Sequence, residues 1–172
     1  MEQLTPMMQQ YMETKNEYKD CILFYRLGDF YEMFFDDAIC AHKELELTLT
    51  GKSCGLKERA PMCGVPFHSA ETYINRLVER GYKVAICEQV EDPKLVKREV
   101  TRIVTPGTNC FTGSLDETRN NYLMGIVSVD HSFGISIVDV TTGEYMLTEV
   151  ESVSKLLDEV NKFMPAEIIC ND

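Results

Sequence analysis

The sequence predicts a mixed α/β chain built as two units, the first a mixed sheet with flanking helices. Three observations carry this. Short apolar runs suited to strands alternate with amphipathic helical stretches along the 172 residues. Residues 1–115 hold 14 basic and 17 acidic side chains, whereas residues 116–172 hold 3 and 11. Most of the net charge of −11 therefore lies in the second segment. The shift falls at Gly113-Ser114-Leu115-Asp116-Glu117-Thr118, a linker-like stretch, so the units are read as 1–115 and 116–172.

In the first unit, Thr5 stands at an N-cap and Pro6 at the first helical position. Met7, Met8, Tyr11 and Met12 form that helix's apolar stripe, and Asn16 to Asp20 closes it. Cys21 to Leu27 is a short apolar run, interrupted by Arg26, that suits a buried strand. Gly28-Asp29 breaks it. Asp29 followed three residues later by Glu32 fits a capping box, which predicts a helix from about Phe30 to Glu46. Leu47 to Thr50 and Ala60 to Val65 read as strands around a polar loop, Gly51 to Arg59. Ser69 is placed to cap a helix over Ala70 to Arg80, ended by Gly81. Tyr82 to Gln89 and Val100 to Thr105 read as strands, joined by a charged connector over Glu91 to Glu99.

The second unit reads as a meander of Tyr122 to Val129, Phe133 to Val140 and Glu144 to Val150. Ser152 caps a helix with Val153, Leu156, Leu157, Val160, Phe163 and Met164 at helical spacing. Pro165 stops it, and Glu167 to Cys170 begins a fourth strand. A meander followed by one helix and one strand looks incomplete, so a piece of a longer protein is expected.

Composition narrows the function classes. No apolar run approaches the ~20 residues of a membrane-spanning helix, and the N-terminus is no secretory signal. Seven singly spaced Cys argue against a disulfide framework and for a reduced, cytoplasmic protein. The acidic balance argues against a simple basic nucleic-acid binder. Gly51-Lys52-Ser53 resembles the end of a phosphate loop, but position 46 is Glu where the first glycine belongs. Cys54, Cys63 and His68 are spaced too widely for a zinc site, so no metal and no catalytic residue is expected. His42, His68 and His131 read as surface or hydrogen-bonded residues. Asp130 and Asp139 lie at strand ends of a meander, an arrangement found in two-metal ribonuclease H-type nucleases. The plainer account makes them turn and strand-end residues.

The sharpest local feature is Gly28-Asp29-Phe30-Tyr31-Glu32-Met33-Phe34-Phe35, with four aromatics crowded behind a glycine turn. An exposed Phe there suits a wedge between stacked bases, as in proteins that kink duplexes through the minor groove. Spacing alone favours the core for all four. This segment, however, closely resembles the mismatch-recognition motif of the MutS family of DNA mismatch repair proteins, with its Phe-x-Glu pair at Phe30 and Glu32. Pro61-Met62-Cys63-Gly64-Val65-Pro66-Phe67-His68, Val84-Ala85-Ile86-Cys87-Glu88-Gln89 and Arg102-Ile103-Val104-Thr105-Pro106-Gly107-Thr108 match as well. The resemblance runs over essentially the whole chain.

The resemblance implies a mismatch-recognition domain over 1–115. From about residue 120 it implies the first part of a ribonuclease H-like connector domain without nuclease activity. It further implies mismatched duplex DNA as ligand, a homodimeric full-length protein that recruits MutL, and ATP and Mg in an ATPase domain beyond this fragment. The fragment itself is expected to be no enzyme and to hold no cofactor. The runner-up is a fragment of a ribonuclease H-like metal-dependent nuclease. By resemblance Phe30 stacks on a mispaired base. Glu32 is stranger, because phosphates repel it. It helps only if a displaced base offers a donor or its carboxyl takes up a proton, and otherwise it caps the Asp29 N–H. Phosphate contacts need local cations, and Lys57, Arg59, Arg76, Arg80, Lys94, Lys97, Arg98 and Arg102 are the candidates.

Overall fold

The computed structural model describes residues 3–90, 97–111 and 120–171. The chain divides into two units, Met1–Val104 and Thr105–Asp172. The Pro106–Thr108 turn goes with the second unit, because the Gly107 N–H donates to Glu167 at 3.0 Å. The linker read at 113–118 lies outside the described residues, as does Lys94.

The first unit is a six-stranded mixed sheet ordered β3-β4-β2-β1-β5-β6. Its strands are β1 (Cys21–Leu27), β2 (Phe30–Phe34), β3 (Thr50–Lys52), β4 (Ala60–Pro66), β5 (Lys83–Val90) and β6 (Lys97–Val104). Only β1 and β5 run parallel; the other neighbours are antiparallel. β1 is central and covered on both faces, which is why Cys21 to Tyr25 is apolar without alternation.

Helix α1 (Pro6–Glu17) lays Met8 and Tyr11 on one face, against Leu23, Tyr25, Phe34, Ala85 and Cys87. Helix α2 (Phe35–Leu45) covers the other face, where the Cys63 thiol meets the Ala38 carbonyl. Helix α3 (Ala70–Val78) lies beside α2, joined to it through Arg80 and Glu44. Asp37, in the first turn of α2, ties the layers together. It accepts from the Leu23 N–H at 3.0 Å and the Tyr11 hydroxyl at 3.3 Å, and pairs with Lys15 at 2.9 Å. A carboxylate at a helix N-terminus also meets a favourable dipole. Burial, and then Asp37, push the Tyr11 phenol well above its ordinary value.

Several expectations are corrected. Phe30 to Phe34 is a strand, not the start of a helix, and helix α2 begins only at Phe35. Phe35 itself takes φ +53, which breaks the strand from the helix. Lys97 to Glu99 belongs to β6 rather than to a connector. The strand read at Leu47 to Thr50 forms instead at Thr50–Lys52. Ser69 does not cap α3 with its side chain, which donates to the Pro66 carbonyl at 3.2 Å.

The second unit is a four-stranded sheet ordered β10-β7-β8-β9. Its strands are β7 (Tyr122–Val129), β8 (Ser132–Asp139), β9 (Tyr145–Val150) and β10 (Glu167–Cys170), the last parallel to β7. Helix α4 (Val153–Phe163) packs Leu156, Val160 and Phe163 over Met124, Ile135 and Ile137. Ser152 caps it, accepting from the Lys155 N–H at 3.3 Å. Mixed sheets with flanking helices are thus the architecture of both units.

Candidate nucleic-acid interface

Gly28-Asp29 is a two-residue turn joining β1 to β2, with Leu27 opposite Phe30. Gly28 takes φ +60, which glycine adopts without the Cβ penalty, as such hairpin turns require. Phe30 is the first residue of β2 and is fixed on both sides, by Leu27 of β1 and Pro66 of β4. The residue is 47% exposed. Alternation along β2 then sorts the motif. Tyr31 and Met33 are buried beneath the α2 face, whereas Phe30, Glu32 and Phe34 share the α1 face. Phe34 is covered by α1, with an edge-to-face contact to Tyr11 at 4.9 Å. Of the four aromatics, Phe30 is the one presented to solvent as a large apolar ring.

The turn that carries Phe30 is held from the opposite face. The Arg26 Nε donates to the Gly28 carbonyl at 2.6 Å, and its guanidinium lies 3.8 Å over the Phe67 ring. The Phe67 N–H donates to the Asp29 carbonyl at 2.9 Å. Next to Phe30, the Tyr31 hydroxyl donates to Glu88, and burial and that bond push its phenol up to about 12. Arg26 and Phe67 were not singled out by motif. Their signal is spatial, since both flank Phe30's partners in the sheet.

Glu32 does not cap the Asp29 N–H as the helix reading required. Its carboxylate meets the Lys52 ammonium at 2.5 Å. Lys52 lies in the polar stretch read as a loop, on edge strand β3, and passes 5.6 Å from the Phe34 ring. Gly64 of β4 faces Glu32 across the ladder. A Cβ there would stand 3.5 Å from the Glu32 Cγ and 3.2 Å from the Tyr31 carbonyl, so the missing side chain leaves room for the pair.

The candidate cations separate by face. Arg98 lies on the Phe30 side, over the Tyr25 ring at 5.2 Å, and its Nε donates to the Arg26 carbonyl at 2.7 Å. Lys57 and Arg59 are exposed in the β3–β4 loop. Arg76 is half-buried on α3, and Arg80 just beyond it is tied to Glu44 at 2.8 Å, both in the layer behind the sheet. Lys97 is exposed and pairs with Glu99. Arg102 is half-buried and faces the α2 side, opposite Ile86. Geometry thus brings Phe30, Glu32, Lys52 and Arg98 to one face of the sheet and puts Arg76, Arg80 and Arg102 on the other.

In the second unit, Asp130 lies in the turn before β8 and Asp139 ends that strand, so the strand's length of about 24 Å at ~3.4 Å per residue keeps them from forming a pair. Asp139 is buried and organises the next turn. It accepts from the Thr141 N–H at 2.8 Å, the Thr141 hydroxyl at 2.6 Å and the Asn121 N–H at 3.2 Å. Asp130 sits in the β7–β8 turn with φ +53. Among the described residues no group of three or more His, Cys, Asp and Glu could hold a metal ion, and no helix is long and apolar enough to cross a membrane.

Comparison with known proteins finds two family models in succession along the chain. Residues 5–111 match the family model described as MutS domain I, and residues 121–172 match MutS domain II. The chain is similar to proteins named DNA mismatch repair protein MutS. It is 71% identical over 175 residues to that of Lachnoclostridium phytofermentans, covering 99% of this chain and 19% of that protein. It is 62% identical to that of Acetivibrio thermocellus, covering 99% and 20%, and 59% identical to that of Ruminiclostridium cellulolyticum, covering 98% and 20%. The chain therefore spans about a fifth of the length of these relatives.

Proposed function

The chain belongs to the MutS family, and from that membership we propose that its first unit recognises mispaired or unpaired bases in duplex DNA, with Phe30 as the wedge. Phe30 enters from the minor groove and stacks on the weakened base step, and the duplex kinks there. Unstacking a step costs a few kcal/mol. A mismatched or unpaired base lowers that cost because it is already poorly paired and stacked. Selectivity comes from deformability more than from base edges, so one ring serves many mismatches.

The observation that carries this reading is the exposure of Phe30 at the head of a doubly paired strand. A wedge must keep its direction under load, and a strand held on both sides does so. Among the described candidate cations, Arg98 is the one placed on that side to meet phosphate. Glu32 lowers affinity for matched DNA, and a displaced base with a free donor recovers part of that loss. The second unit serves as the connector, with a ribonuclease H-like sheet that performs no cleavage. The burial of Asp139 in its own turn and its distance from Asp130 support this over the nuclease alternative. In the full-length protein we place ATP and Mg in an ATPase domain outside these residues, a homodimer as the working form, MutL as partner and the cytoplasm as location.

The test is Phe30→Ala in the full-length protein. One labelled duplex with a single mismatch and its matched counterpart are titrated at one fixed salt concentration. Loss of mismatch preference with matched-duplex binding retained is expected. Survival of the preference overturns the wedge role.

A further inference from the structure

We infer that Lys52 is a specificity-determining residue: it is held on Glu32 over matched DNA and transferred to a phosphate only when a mispaired base takes the Glu32 carboxylate. The inference rests on the reading of Phe30 as the stacking residue.

Four features place Lys52 in this role. Its ammonium is 2.5 Å from the Glu32 carboxylate, two residues from Phe30 on the same face. The pair is largely withdrawn from water but keeps an open side, with side-chain exposures of 32% for Lys52 and 17% for Glu32. Lys52 ends a three-residue edge strand, so its four-carbon stem can swing outward without breaking the sheet. Gly64, opposite Glu32 and with no side chain, leaves the Glu32 stem uncrowded.

The chemistry is an exchange of partners. An ionised carboxylate only accepts hydrogen bonds, and an ammonium only donates them. Paired, the two present little net charge to the DNA. A matched duplex keeps its base N–H donors in Watson–Crick pairs, so Lys52 stays on Glu32 and is withheld from phosphate. A displaced base brings a free N–H donor to Glu32. Lys52 then turns to a phosphate and releases a counterion. Mismatch binding thereby contains one phosphate contact that matched binding lacks. Each such contact contributes about 0.9 to the slope of log affinity against log salt.

The experiment measures this slope for full-length wild type, Lys52→Gln, Glu32→Gln, the double variant and Phe30→Ala, on a single-mismatch duplex and its matched counterpart. Lys52→Gln is expected to flatten the slope by about 0.9 on the mismatch and to leave it unchanged on matched DNA. Glu32→Gln is expected to free Lys52 and steepen the matched slope by about 0.9, an increase that vanishes in the double variant. Lys52→Arg should keep the wild-type pattern. Equal flattening on both duplexes makes Lys52 an ordinary phosphate contact and overturns the inference. No change on either makes the pair purely structural and also overturns it. If Lys52→Gln does not fold, the Glu32→Gln matched slope decides alone. Phe30→Ala separates the two levels. A persisting mismatch preference there sinks the wedge itself, whereas lost preference beside equal Lys52→Gln slopes sinks only the role of Lys52.

Discussion

Phe30→Ala and Phe34→Ala delete the same ring from the same face of one strand, and the structure assigns them opposite consequences. Phe34 is 1% exposed and packs edge-to-face on Tyr11. Truncating a buried Phe costs about 3–5 kcal/mol, of which the aromatic pair contributes ~0.5–1.5. Phe30 keeps nearly half its surface in water. Full burial of a Phe is worth ~1.5–3 kcal/mol, so its loss forfeits about 1 kcal/mol. With a urea m-value of ~2 kcal/mol/M, the midpoint falls by about 0.5 M for Phe30→Ala and 1.5–2.5 M for Phe34→Ala. The chain has no Trp, so far-UV circular dichroism is the suitable probe. Equal shifts would show that the Phe30 ring is a packing residue and would refute its assignment as a presented wedge. The expected result is a folded Phe30→Ala protein with impaired mismatch preference.

Three further outcomes follow from the geometry. Burial alone would raise the Asp139 carboxyl, but hydrogen bonds from Thr141, Asn121 and Thr142 outweigh it and hold the group below its ordinary value. Its stabilisation is present above the unfolded-state value near ~4 and is lost as pH falls below that. Asp139→Asn should thus lose less stability than wild type between neutral pH and pH ~3 in urea titrations, and equal losses would contradict this. The Tyr31 phenol, pushed up to about 12 by burial and Glu88, stabilises the fold below the free tyrosine value of ~10, and the contribution is lost as pH rises toward 12. Tyr31→Phe should therefore be less stable at neutral pH yet flatter in its alkaline unfolding profile. Gly55→Ala places a Cβ 2.2 Å from the Gln3 carbonyl oxygen at φ +94, whereas at Gly28 a Cβ meets nothing within 4 Å. Gly28→Ala bears only the left-handed strain of ~1–2 kcal/mol, so Gly55→Ala should show the larger drop in urea midpoint.

The elements that were legible in the sequence are those whose signals are local. Cys21–Leu27 is read to the residue because the doubly covered part of the strand, Cys21 to Tyr25, is apolar without alternation and Gly28 ends the run. Tyr122–Val129 and the Ser152 cap follow from a largely apolar run closed by the Asp130 turn and from a side chain that bonds within its own turn. Phe30 to Phe34 was misread because two local rules compete there. Asp29 and Glu32 stand at capping-box spacing, and Ala38, Ala41 and Leu45 extend a helical period backward into the motif. The winning signal is the hairpin, a glycine-led pair between two aromatic-rich runs. With a strand on either side, β2 pairs its backbone with β1 and β4, and the capping box has no helix to cap. The places of Phe67 and Lys52 beside Phe30 were not legible for a different reason. Their partners are 38 and 20 residues away in the chain, and the ladder order that makes them neighbours of Phe30 is a property of the whole sheet.

The strand placement strengthens the functional reading. At a helix start Phe30 would sit on the least restrained turn of the element, where backbone N–H groups lack partners. At the head of β2 it is anchored by the β1 and β4 ladders, and Arg26 and Phe67 secure the turn beside it. Ordering a loose aromatic during binding would cost conformational entropy for every duplex, matched or not. A pre-ordered ring avoids that cost, and the step's own resistance to opening then governs affinity. That resistance is what differs between matched and mismatched DNA. In the proposed function, the hairpin that defeated the local rules is therefore also what would let a single phenylalanine measure deformability.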